Sequence, residues 1–452
     1  MCHQPSSSSS SFVVLMSNKL LEMKPAPPSP RAAPVFLTDC LEELLRLTLS
    51  ASLLEDSDVS LGFSRLYCDN LLRDDPFLSP SHISSTAVKG VPAYPLYKHL
   101  ARALEGCISS GKFLRGLGSV KGLREDEFFM LKQREWDRLI MEKGAELVNM
   151  MESVEFELHV QEPFFSQLRV GMKTAEGRCA TEDYNRISAG SFLLFNRSLL
   201  LQVQDVRYYR SFSEMLEVEL ANALPGIPTV EEGVQIYRKF YTEEKEKSNG
   251  VLAIHVLKPA SQPYILLGNL LSGLGCEGVG SLLGMMHTAG TVLDALPPPR
   301  SYLLSSFMKL HRPNVEGSTL TDAARSLAKH VHRSSEEWWG SFRGGDSEKN
   351  RLASEIVNHL LNECCWMNVY DIQTHNRVFE IRIHEGYGAR WSHDGSKVFI
   401  FFIIVEGAAR RREHRSRQDH HSSTKRLDDA SIKAGRILHR RSNSTTRTVK
   451  AT

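Results

Sequence analysis

Lys173, Thr174, Glu176 and Arg178 fall within six residues, at the end of the run Gln161–Arg178, QEPFFSQLRVGMKTAEGR. Two cations, a carboxylate and a hydroxyl this close are costly to desolvate, so they are either solvated or line a polar cleft. If the chain is extended here, Thr174, Glu176 and Arg178 share one face, while periodicity does not fix the direction of Lys173. The available chemistry is anion recognition. A guanidinium such as Arg178 meets a phosphate with two parallel hydrogen bonds, and Lys173 acts as a point charge. Further along, Arg207, Tyr208, Tyr209 and Arg210 place cations and stacking rings on one short segment, a combination suited to single-stranded RNA. A solvated ion-pair cluster on a strand is the competing reading.

Those residues need elements to hold them. From Val154 to Val160 apolar and polar residues alternate, the period of a half-buried strand. Pro163 ends that strand because it cannot donate to a ladder. Phe164, Phe165 and Leu168 then form one short helical face, closed at Gly171. A turn at Ala189-Gly190 precedes strands at Ser191–Phe195 and from Leu199 onward. Ser211-x-x-Glu214 and Thr229-x-x-Glu232 have the form of capping boxes, each opening a helix. The second of these helices carries Val230, Val234, Tyr237 and Tyr241 on one face. Val251–Leu257 is a closing apolar strand. Short strands with two helices predict a small mixed barrel.

The opening Gln161-Glu162-Pro163, the short helix, and Gly171-x-Lys173-x-x-Glu176-x-Arg178 resemble the activating signal cointegrator homology (ASCH) domains. The likeness continues through Pro225-Gly226-Ile227 and Ile236–Tyr241 to Gly250–Ile254, with one residue, Glu162, inserted in the opening turn. The resemblance implies a barrel like that of PUA domains, with a cleft suited to RNA or a modified nucleoside. It draws Gln161 into the set of ligand-binding residues with Lys173, Thr174, Glu176 and Arg178. Some bacterial relatives hydrolyse the amide of N4-acetylcytidine with a pattern similar to Lys-Thr-x-Thr-x-Arg and a later glutamate. Here Glu176 replaces the second threonine, so hydroxyl attack is lost. On this alternative reading Lys173 and Glu176 are the catalytic pair: Glu176 activates water and Lys173 stabilises the oxyanion. Glu217 or Glu219 is the counterpart of the later glutamate. A third reading is a protein-interaction scaffold or coactivator working through the flanking domains.

The 452 residues allow two or three domains, and a net charge of +2 excludes a globally basic nucleic-acid binder, leaving a local patch. The eight cysteines are scattered without a C-x-x-C pair, which fits reduced thiols and argues against structural zinc. No metal or cofactor is expected. No apolar run reads as membrane-spanning, so no membrane partner is expected. The predicted class is α+β in six segments. Residues 1–34 are a disordered Ser/Pro-rich stretch, with an organelle transit peptide as the alternative. Residues 35–151 are helical, 152–259 the ASCH domain, and 260–300 a Gly/Pro-rich linker. Residues 301–407 are an α+β domain, and 408–452 a basic disordered tail whose clusters suit nuclear import or phosphate contacts. The expected location is cytoplasmic or nuclear. Within the linker, Gly273–Gly278 matches G-x-G-x-x-G but lacks the strand a dinucleotide site needs, which leaves a flexible or helix-packing glycine segment. In the C-terminal domain helices are expected at 320–331 and 347–366, and strands within 369–383 and 398–405. The run His384–Trp391 reads as a Gly-rich hairpin connection carrying a packed Trp, or as a loop that stacks a base or a peptide.

Overall fold

The computed structural model describes residues 35–54, 57–77, 90–116, 127–181, 183–288, 290–331, 338–372 and 376–403. The expected disorder of 1–34 and of 408–452 lies outside these residues. Among the described residues four helices lead: α1 (Leu37–Ser52), α2 (Arg65–Leu72), α3 (Leu96–Ser110) and α4 (Glu127–Glu152). The leucine stripe of α1 is buried as its spacing predicts, at Leu41, Leu44, Leu45 and Leu49. Thr48 interrupts that stripe in sequence but is buried too. Its hydroxyl donates to the Leu44 carbonyl at 2.8 Å and the Tyr264 carbonyl at 3.2 Å, which removes the cost of burying it.

The ASCH-like segment forms a five-stranded sheet in the order β1-β3-β4-β5-β2. The strands are β1 (Phe156–Leu158), β2 (Ala175–Cys179), β3 (Phe192–Phe195), β4 (Leu199–Tyr209) and β5 (Val251–Leu257). β1 runs parallel to β3; the other pairs are antiparallel. Around β1, Val154, Phe156, Leu158 and Val160 are buried, the residues picked out by alternation. A register shift between Val203 and Asp205 lies along the longest strand, β4. The sheet curls into a half-barrel, so its two edge strands approach across a seam. Arg178 of β2 spans that seam, donating to the His159 carbonyl just beyond β1 at 2.7 Å. Four helices complete the unit: α5 (Phe164–Arg169), α6 (Phe212–Ala223), α7 (Val230–Arg238) and α8 (Glu243–Asn249). Ser211 and Thr229 cap α6 and α7, accepting from the amides of Glu214 and Glu232, as the two capping boxes predict.

The stretch expected as a linker is instead largely helix. α9 (Pro263–Leu282) packs against α4 and α1, and Leu266, Leu267, Leu270, Leu271 and Leu274 are buried. Its glycines are contact points: a Cβ on Gly268 would lie 2.8 Å from Val59, and one on Gly273 2.6 Å from Leu139. The G-x-G-x-x-G match is therefore helix packing, with a kink at Gly275, where φ is 65°. α9 is long and apolar enough to cross a membrane, contrary to the expectation from the sequence, but 61% of its most apolar window is buried in the fold. The α1–α4 helices, the half-barrel and α9 share one hydrophobic core. The Gln262 side chain joins them, accepting from the Leu200 amide at 3.1 Å and donating to the Leu200 carbonyl at 2.8 Å like an extra strand residue.

A second core holds the C-terminal unit. It contains α10 (Arg300–Met308), α11 (Asp322–Ala328) and α12 (Asp346–Asn362), and an antiparallel sheet in the order β6-β7-β8-β9. Its strands are β6 (Trp366–Ile372), β7 (Asn376–Arg382), β8 (Tyr387–Ser392) and β9 (Val398–Ile403). The supposed connection His384–Trp391 is for the most part strand β8. Tyr387, Ala389 and Trp391 are buried on one face and Gly388 and Arg390 lie on the other, so the glycines obscure a period of two. Trp391 is packed as expected, donating from its indole to the Leu303 carbonyl.

Candidate functional site

Lys173, Glu176 and Arg178 come together at the seam of the half-barrel, and they are not on the surface: their relative exposures are 3%, 6% and 6%. The position of Lys173 is set from both sides. The amides of Met172 and Lys173 bond to the Gln167 carbonyl at the end of α5, and the Thr174 amide bonds to Asn222 at the end of α6. The ammonium then contacts Glu176 Oε2 at 3.0 Å, the Ala175 carbonyl at 2.7 Å and the Ala223 carbonyl. An ammonium has three donors, and all three are engaged. Burial pushes the Lys173 pKa down, with Glu176 opposing. Arg178 contacts Glu176 Oε1 at 3.0 Å and lies over the Tyr184 ring at 5.7 Å. Burial pulls its pKa down, but Glu176 and the tyrosines Tyr241 and Tyr184 outweigh that and raise it. The result is a desolvated cluster with one net positive charge.

A cleft of about 90 Å³ opens beside this cluster. A water needs roughly 10–15 Å³ on the same measure, so the cleft has room for several waters or a flat ring. Phe164, Tyr184, Tyr237, Phe240 and Tyr241 supply aromatic walls, Gln161 and His159 line it, and Lys245 reaches it from α8. Two donors here lack an acceptor among the described residues: Arg178 Nε–H and the Tyr237 O–H, whose oxygen faces the Gly177 amide. Burial raises the pKa of Tyr237 well above its ordinary value and that of Tyr241 to about 12, so both are neutral phenols. Burial, then Arg178, lowers the pKa of His159. Gly177 is the hidden member of the site. A Cβ there would lie 2.5 Å from the Tyr237 hydroxyl, so only glycine lets α7 lie this close to β2.

Of the residues singled out in the sequence, Gln161, Lys173, Glu176 and Arg178 line the cleft, and Thr174, Arg207, Tyr208 and Arg210 do not. Thr174 turns to Asn222 at 3.3 Å. Arg207 is held by Asp205 at 2.8 Å and Glu219 at 2.9 Å. Tyr208 lies against Gly250, and Arg210 is exposed. Glu219 is buried in a separate network with Arg207, Tyr209, Asn222 and His255. Glu217 is exposed, so neither later glutamate joins Glu176. Sequence reading missed the aromatic walls other than as core. Their only signal was the stripe Tyr237/Tyr241, which looks the same whether it faces a core or a cleft. Among the described residues no group of His, Cys, Asp and Glu is arranged to hold a metal ion.

Comparison with known proteins gives two family matches. Residues 311–403 match the CdiA C-terminal tRNase toxin domain, in a region where the sequence alone suggested no family. Residues 158–260 match the ASCH domain. No curated protein matches the chain. Among solved structures, hypothetical protein PH0355 is 41% identical, covering 23% of this chain and 97% of its own, with a TM-score of 0.22. Protein PF0455 from Pyrococcus furiosus is 42% identical over the same shares, also with a TM-score of 0.22. The matched span, with its Gly-x-Lys-x-x-Glu-x-Arg run intact, is an ASCH domain, and this chain is one that carries an ASCH domain.

Proposed function

We propose that the ASCH cleft binds RNA through a single base, or a modified nucleoside. The observation that carries this is the pair of unpartnered donors, Arg178 Nε–H and Tyr237 O–H, beside aromatic rings. Leaving a buried donor without an acceptor costs about 1–3 kcal/mol, which a ligand carbonyl would recover. Each Glu176 oxygen keeps acceptor capacity beyond its ion pair and suits an N–H of the ligand. A flat base would stack on the aromatic walls, an interaction worth about 1–3 kcal/mol. Lys173 is a strut in this reading, because its donors are already engaged. That departs from its expected role as a free point charge for phosphate.

The test is a paired measurement on Glu176→Gln: RNA affinity as a function of salt, and acetate release from N4-acetylcytidine. The binding reading expects altered base selectivity and no acetate from the parent protein. Turnover in the parent that Glu176→Gln abolishes, with binding retained, would replace it with the hydrolase reading. Unchanged affinity in Glu176→Gln and in Arg178→Ala would remove the site.

The match over 311–403 supports a second reading, for the C-terminal unit: it engages tRNA. Incubating the full chain with unfractionated tRNA and following retention and strand integrity tests this. Intact, unretained tRNA at high protein concentration would contradict it.

A further inference from the structure

The C-terminal sheet has one apolar face, packed on its helices, and one polar face. On the polar face the pairings Trp366↔Arg382, Asn368↔Glu380 and Glu380↔Arg390 set five side chains side by side across three strands. Glu380 is fully buried. Its Oε1 accepts from Arg382 Nε at 2.7 Å and Nη2 at 2.6 Å. Its Oε2 accepts from Arg390 Nε at 2.8 Å, Arg390 Nη2 and the Tyr370 hydroxyl. The carboxylate is saturated and has no capacity left to act as a base. It holds two guanidiniums in fixed orientation, and the trio keeps one net positive charge.

Both guanidiniums reach solvent, with side-chain exposures of 21% for Arg382 and 20% for Arg390. Arg382 Cζ lies over the Trp366 ring, 3.9 Å from its centroid, and the side chain meets Glu380 through its Nε–Nη2 edge, so Nη1 is turned away from that carboxylate. The buried Trp366 indole N–H has no hydrogen-bond partner among the described residues. Along the β6 edge the backbone of Met286 and Val292 bonds to Met367 and Val369. Thr288 and Thr291 grip the Asn368 amide at 2.9 Å each, forming a wall beside the cluster. Two oriented guanidiniums with excess positive charge, next to a stacked aromatic, match an anionic group carrying several oxygens.

We infer that this face is a phosphate-binding site for an RNA strand. Arg382 receives the phosphodiester, Arg390 adds positive charge beside it, and Glu380 acts as the positioning residue. The inference rests on the tRNA reading of the C-terminal unit. It is independent of the ASCH cleft, because the two sites lie on different sheets.

The experiment measures retention of unfractionated tRNA by the full chain across a salt series, for the parent, Arg382→Gln and Arg382→Lys, with far-UV circular dichroism and a thermal midpoint for each. Arg382→Gln is expected to weaken binding about tenfold and to lower the slope of log affinity against log salt by about one contact. Arg382→Lys keeps the charge and loses the fork, so it is expected to fold, weaken binding and preserve the slope. Unchanged affinity and slope in both folded variants, with tRNA still retained, would overturn the site and leave the tRNA reading standing. No retention by the parent would overturn both. Loss of binding only in variants that also lose the folded signal would overturn the site, and assign the cluster to stability.

Discussion

Lys173 is where position in the fold changes the meaning of a residue. In sequence it is a cation beside an arginine; in the fold it is a buried strut between α6, the start of β2 and Glu176. Replacing Lys173 by an apolar residue keeps the Glu176–Arg178 pair but leaves buried acceptors, the Ala175 and Ala223 carbonyls, without their donor, at a cost of about 1–3 kcal/mol. Lys173→Met is therefore expected to lower unfolding free energy by about that amount, read by chemical denaturation. A change below about 1 kcal/mol would show that its contacts are dispensable. Arg178 is the member left with a donor to give. Gly-x-Lys-x-x-Glu-x-Arg was legible as a site from its residue types. The roles within it were not, because donor saturation depends on carbonyls of Ala175 and Ala223 that only the folded backbone brings near. Gly177 was invisible for the same reason: its function is to be absent where Tyr237 sits.

The elements of the ASCH segment were readable because local signals agree with tertiary ones. The alternation around β1, the caps at Ser211 and Thr229 and the apolar β5 all recur in the fold. α9 and β8 were hard to read for one shared reason: glycine signals loops as well as close packing. The sequence leaves Gly273–Gly278 as flexible or helix-packing, and the fold selects packing in α9, while in β8 a glycine occupies the polar face of a strand. Ala in place of Gly in a helix interior would normally gain about 1 kcal/mol. Gly268→Ala should instead destabilise, by about 1–3 kcal/mol, because its Cβ would meet Val59 at 2.8 Å in a filled core. A raised denaturation midpoint in Gly268→Ala would refute that packing.

For the whole molecule, sequence reading separated a helical region, an ASCH domain and a linker. The fold gives these one continuous core and gives the C-terminal unit another. Composition could not reveal this, since it reports where apolar residues are and not which faces meet. Burial also sets a pH dependence. His99 and His287 are pushed down to about 4 by burial, with Arg102 and Arg115 adding to it. Their folded-state values lie below the ordinary 6.5, so the fold favours the neutral rings. The stability they contribute is present above 6.5 and is lost as pH falls toward 4. Thermal midpoints of the double variant His99→Gln/His287→Gln should fall less over that window than those of the parent. An equally steep fall would assign the acid sensitivity to carboxylates.

On the proposed reading, the two units, each with a buried ion cluster on a sheet, face RNA, and the ASCH cleft reads a base. The most direct test is ultraviolet crosslinking of the full chain to RNA, with the crosslinked peptides mapped by mass spectrometry. Crosslinks are expected on the cleft's aromatic residues, Phe164, Tyr184, Tyr237, Phe240 and Tyr241. RNA that crosslinks efficiently elsewhere on the chain, with none of these five residues modified, would contradict the base-reading cleft.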